Sequence, residues 1–138
     1  MRASQNIYFT GVNDVFKEFN NNPRNLKVGD CTIRAISLLT NKTWDETYMG
    51  LMTTGFELKD MPSSNRVWGR YLTINGYRRF IIPDTCPDCF TVSDFCRDNP
   101  YGTFLLATGT HTVTVIDGDY YDTWDSGDEI PIHFWKKR

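Results

Sequence analysis

Apolar side chains recur at helical spacing through the first half of the chain and at strand spacing through the second. Val15, Phe16 and Phe19 fall on one face of a short predicted helix, capped by Asn13 and running to about Asn20. "NNNPRN", Asn20 to Asn25, reads as loop. Asp30 is a natural N-cap for a helix over Cys31 to Thr40, in which Ile33, Ile36 and Leu39 repeat at helical spacing. "TWDE", Thr43 to Glu46, is a capping box that starts a second helix reaching about Thr53. "PSSNRVWGRYLTINGY" predicts a third helix that stops near Asn75-Gly76.

Beyond Gly76 the period changes. "YRRFIIP" predicts a strand, and "TVSDFC", Thr91 to Cys96, a short capped helix. "GTFLLAT", "HTVTVID", "YYDTWD" and "IPIHFW" are rich in Val, Ile, Thr and aromatic residues, with Gly and Asp between them. Helices first and strands last predict an α+β fold, an antiparallel sheet with helices packed on one side.

Composition narrows the class. The 138 residues, with no repeat, low-complexity tract or linker, predict a single domain over 1–138 with a real core. A net charge of −2 offers no electrostatic footprint for nucleic acid, and the Lys136, Lys137, Arg138 tail reads as solubilising. The opening "MRASQNIYFTGVNDVF" lacks the apolar core of a secretory signal. No apolar run approaches the roughly 18 residues of a membrane span. A cytoplasmic location with reduced cysteines is the expectation, so catalysis or metal binding is favoured over a disulfide frame.

Candidate chemistry centres on "NLKVGDCTIRAIS", Asn25 to Ser37. A thiol in the first helical turn sees the positive end of the helix dipole and free N–H groups, which favour the thiolate. A nucleophilic thiol also needs a base, itself held by a third group. The chain has two histidines, His111 and His133; His111 opens a predicted strand, and His133 reads as structural or exposed. If Asp117-Gly118-Asp119 is a three-residue loop, His111 stands opposite Asp125 on the return strand, at pairing distance. A two- or four-residue loop instead puts Asp122 on the face of His111. In that reading Asp122 lies opposite Val115, about 13 Å along the strand, too far for a bond. Asp125 is thus the first candidate and Asp122 the alternative.

"GDC" opening a helix, followed by "HTVTVIDG" and "DTWDS", resembles the papain-like cysteine peptidase superfamily. The longer stretches "GDCTIRAISLLTNKTWDE" and "HTVTVIDGDYYDTWDSGDEIP" resemble small phage and prophage proteins of that superfamily, over most of the chain. Bacteriocin-processing peptidase domains are a more distant parallel. The resemblance implies a papain-like fold with Cys31 as nucleophile, His111 as base and Asp125 as orienting acid. It also implies Asn25 as an oxyanion donor, at a position where the family carries Gln six residues before the cysteine. No cofactor or metal is implied. The implied partner is a protein or peptide substrate, with a bacterial host protein a candidate, in the host cytoplasm; nucleic acid and membrane are not.

Other readings stay open. A weak or inactive peptidase fold could act by binding a host protein, and acyl transfer or deamidation would use the same triad. "CPDC", Cys86 to Cys89, is a zinc half-site or redox pair on paper, though a tight turn at Pro87 is favoured. Cys96 reads as core or helix edge, Arg34 as one half of a structural ion pair, and Trp44 and Trp124 as core.

Overall fold

The computed structural model describes residues 15–138. Its elements run β1 (Phe16–Glu18), α1 (Cys31–Thr40), α2 (Trp44–Leu58), α3 (Asn65–Ile74), β2 (Tyr77–Ile81), α4 (Val92–Asp98), β3 (Thr103–Ala107), β4 (Thr112–Ile116), β5 (Asp119–Asp122) and β6 (His133–Lys137). The fold is α+β. Two caps read from sequence form as expected, Thr43 and Thr91 making reciprocal capping boxes with Glu46 and Asp94. Asp30 stands at the N-cap of α1 but its side chain makes no capping bond, and α3 starts at Ser64, which accepts from the Val67 amide. Helix α2 runs past Thr53 to Leu58, where Lys59 takes the left-handed conformation.

Six strands form one sheet in the order β1-β5-β4-β3-β6-β2. All neighbours are antiparallel except β1 and β5, so the sheet is mixed rather than purely antiparallel. The parallel edge is where the predicted first helix fails. Phe16 to Glu18 pair with Tyr120 to Asp122, Phe16 packs on Tyr120 and Phe19 meets Tyr121 edge to face. Ladder bonds and aromatic burial override the helical spacing of a short segment. The proposed cap Asn13 lies outside the described residues.

Helices cover both faces of the sheet, not one. Ile36, Leu39, Leu51, Trp68 and Leu72 from α1–α3 pack with Leu105, Ala107 and Trp135. On the other face Val92, Phe95 and Cys96 of α4 pack with Leu106, Val113, Val115 and Tyr120. Strand β4 is therefore buried on both sides, and its α1 face carries Thr112 and Thr114, whose hydroxyl oxygen donates to the Ala35 carbonyl at 2.6 Å. Among the described residues no helix is long and apolar enough to cross a membrane.

The β4–β5 hairpin fixes the register that matters for the site. Ile116 pairs with Asp119, leaving Asp117 and Gly118 as a two-residue turn, both at positive φ (49° and 81°). That is the geometry of a primed turn, which Asp-Gly favours. A Cβ at Gly118 would stand 3.3 Å from the Cys96 carbonyl oxygen and 3.4 Å from Pro100 Cα, besides carrying the positive φ. Gly118→Ala should therefore cost about 1–2 kcal/mol in urea denaturation. An unchanged midpoint would contradict a turn at this position.

Candidate active site

Cys31 is the first residue of α1, and the helix brings it to the loop between β3 and β4. A cavity of about 310 Å³ opens between the start of α1 (Cys31, Thr32), the start of α3 (Ser63, Asn65, Trp68) and residues Thr108 to Thr112. Apart from Cys31 and His111 its lining carries no ionisable side chain.

The carboxylate behind His111 is Asp122, not Asp125. His111 Nε2 stands 2.6 Å from Asp122 Oδ2. Asp125 faces elsewhere: its Oδ1 accepts from the Tyr120 hydroxyl and, at 3.0 Å, from the Gly127 amide. The cause is the two-residue turn. With Thr114 against Tyr121, one further step of the ladder sets Asp122 against Val113, two residues from His111. The offset is about 7 Å along the strand, half the separation expected from sequence, and the His111 ring reaches across the diagonal to the shorter Asp122 side chain.

Asp122 is fully buried and saturated with donors. Besides His111, Ser126 Oγ donates to Oδ2 at 2.7 Å, while the Thr123 amide and Arg34 Nη2 donate to Oδ1 at 2.8 and 2.9 Å. Burial raises the pKa of Asp122, but the bonds to His111 and Ser126 and the His111 charge outweigh it, and the carboxyl sits below its usual range. An ionised carboxylate only accepts, so His111 Nε2 carries a proton and Nδ1 is the nitrogen left for sulfur.

Arg34 joins this carboxylate to a second one. Its Nη1 donates to Asp30 Oδ1 at 2.5 Å, and Trp44 Nε1 donates to Asp30 Oδ2 at 2.9 Å. Arg34, Asp30 and Asp122 are all buried. The expected ion pair of Arg34 is thus a bridge, and it spans α1 and β5. Trp44 is half-buried, and Trp124 is not core: it is 46% exposed and its ring lies 4.8 Å from the His111 ring.

Burial raises the Cys31 pKa, but the approach of the His111 ring, then of the Thr112 backbone and hydroxyl, and the His111 charge lower it. The net change is from 9.0 to about 7. For His111 burial acts downward, while the bonds to Asp122 and Cys31 and their charges raise its pKa from 6.5 to about 9. Between these values sulfur is deprotonated while imidazole is protonated, so the two form an ion pair that titrates as a unit. Thr112 was not foreseen from sequence. It is 4% exposed and lines the Cys31 cavity, and its hydroxyl has no hydrogen-bond partner among the described residues.

Asn25 is not brought to this cavity. It is exposed, at φ 54°, and lines a separate cleft with Glu18, Phe19, Asn20, Lys27 and Thr123. In the Cys31 cavity the side-chain amide present is that of Asn65, whose Oδ1 accepts from Trp68 Nε1 at 3.0 Å. Cys86 and Cys89 are joined in a disulfide, contrary to the expectation of a reduced pair. Cys96 is core, and burial, then the Asp119 charge, push its thiol up to about 12. His133 is half-buried on β6, its pKa lowered by burial and then by the Arg79 charge.

No family model matches the chain significantly, and neither a curated protein nor a solved structure does.

Two outcomes follow from this geometry. Alkylation of Cys31 by iodoacetamide should rise with pH around a midpoint near 7, because the thiolate is the reacting form. In His111→Ala the midpoint should move up to 9 or beyond, since burial remains and the lowering partner is gone. A midpoint unmoved by that change would disconnect the two side chains. Arg34→Leu strands two buried carboxylates and should cost about 3–5 kcal/mol in chemical denaturation.

Proposed function

We propose that the protein is a cysteine hydrolase of papain-like type that cleaves a peptide or isopeptide bond, with Cys31 as nucleophile, His111 as base and Asp122 as the orienting acid. The observation that carries this reading is a helix-start thiol and an imidazole lining one cavity, with a buried, ionised carboxylate 2.6 Å behind the imidazole. The order Cys, His, Asp along the chain and the motif resemblance support it too.

Cys31 attacks a carbonyl carbon as the thiolate. The carbonyl π bond breaks, and its electron pair moves to oxygen. The backbone N–H of Cys31 and the Thr112 hydroxyl are the donors assigned to that oxyanion. The His111 imidazolium protonates the leaving amine as the C–N bond breaks, which leaves a thioester. His111, now neutral, takes a proton from water, whose oxygen displaces the sulfur. Asp122 keeps the ring oriented and charged-form stable throughout, and Arg34 and Ser126 hold Asp122. If an amine replaces water, the same intermediate gives acyl transfer, and a side-chain amide substrate gives deamidation.

A binding role on a weakly active fold is the second reading. The position of Asn25, outside the Cys31 cavity, favours it, because the family's side-chain oxyanion donor is then missing. The resemblance to phage proteins makes a bacterial host protein the partner to test in either case.

Incubation with a mixed decapeptide library, read by mass spectrometry, decides between the readings. Cleaved, deamidated or cross-linked products should form with the protein and vanish with Cys31→Ala. The rate should be bell-shaped in pH, with flanks near 7 and 9. Asp122→Ala should lower kcat by 100-fold or more and Asp125→Ala by only a few fold, while Thr112→Val should lower kcat by about 10²-fold. A library left unchanged by wild-type protein would overturn the hydrolase reading.

A further inference from the structure

The cavity at Cys31 does not end at Thr32. A second cavity of about 190 Å³ lies on the far side of Thr32 and Ser63, and these two residues line both. Its walls are Ile33 of α1, Tyr48, Leu51 and Met52 of α2, and Pro62 before α3. Asp30 also borders it, yet presents no free charge, since Arg34 takes one carboxylate oxygen and Trp44 the other. The pocket is open to a ligand: Met52 is 43% and Tyr48 39% exposed. Gly29 at its rim leaves open backbone, because a Cβ there would meet nothing within 4 Å.

We propose that this pocket binds one apolar side chain of the polypeptide whose carbonyl is presented to Cys31, so that the substrate carries an aliphatic residue within a few positions of the reacting bond. The inference rests on Cys31 being the reactive group. The volume is below the roughly 300 Å³ at which whole small-molecule sites begin, and suits a single side chain. The neutral, hydroxyl-lined cavity at Cys31 then takes polar backbone, and the apolar pocket beside it supplies selectivity. An aliphatic group fits because Ile33, Leu51, Met52 and Pro62 supply apolar wall, and the one carboxylate at the rim is already taken by Arg34 and Trp44.

A homologous series of N-alkyl iodoacetamides tests the pocket without knowledge of the substrate. Thiolate sulfur forms the C–S bond as the C–I bond breaks and iodide leaves, and the alkyl tail reaches past Thr32. The second-order rate of Cys31 labelling should rise about twofold to fourfold per methylene from N-methyl to N-butyl. Met52→Glu should abolish that gain, and Met52→Leu should retain it. Equal N-methyl and N-butyl rates in wild-type protein, or an undiminished gain in Met52→Glu, would overturn the pocket. An N-methyl rate no higher than that of free cysteine, with the chain-length gain intact, would instead overturn the activated thiol and leave the pocket standing.

Discussion

A single guanidinium holds the site together. Arg34 is 4% exposed and lies between Asp30 and Asp122, residues 92 positions apart in the chain (122 − 30). Two buried carboxylates this close repel each other. One guanidinium between them gives each an opposite charge, and Asp122 has a protonated His111 on its far side as well. Removing any member leaves an uncompensated charge in a closed interior, so the network fixes how α1 docks on the sheet. The docking in turn sets where the Cys31 sulfur meets the His111 ring. Stability and the geometry of the proposed chemistry thus depend on one set of contacts.

Much of this was legible in the chain. The caps at Thr43 and Thr91, the helix stop at Asn75-Gly76 and the helical spacing of Ile33, Ile36 and Leu39 are local signals, and they locate the helices well. The orienting carboxylate was not read correctly, although its signal was present. Asp117-Gly118 is a strong two-residue turn signal, and counting the hairpin from it pairs Ile116 with Asp119. A two-residue turn is among the readings of the sequence, but placing Asp122 opposite Val115 is the register of a four-residue loop; the two-residue turn sets Asp122 opposite Val113, two residues nearer His111. A slip in register is enough to choose the wrong side chain.

Other features were set by contacts that no local pattern records. Phe16 to Glu18 become a strand because Tyr120 to Asp122 offer an open edge more than a hundred residues later. Thr112 joins the Cys31 cavity only when β4 packs under α1. Asn25 aligns with the expected oxyanion donor by counting six residues back. The turn at Asn22 to Asn25, with Asn25 in the left-handed region and its amide bonded to the Asn22 carbonyl, takes it to another cleft. A count along the chain cannot carry a side chain around such a turn.

Asp30 ties the two halves of this account together. As the residue before Cys31 it stands at the N-cap, and a capping side chain there would accept from the first-turn amides. It makes no such bond; its oxygens go to Arg34 and Trp44 instead, and no acidic residue occupies the first turn. Losing a cap costs about 1 kcal/mol, a small loss against a buried ion-pair network. The consequence falls on Cys31. The free N–H groups and the positive pole of α1 stay unneutralised beside the sulfur, so they remain to stabilise negative charge there, first on the thiolate and then on the oxyanion of the proposed reaction. Turning the Asp30 carboxylate from the first-turn amides to Arg34 and Trp44 both steadies the Arg34 bridge from α1 to the sheet and leaves the end of that helix electropositive.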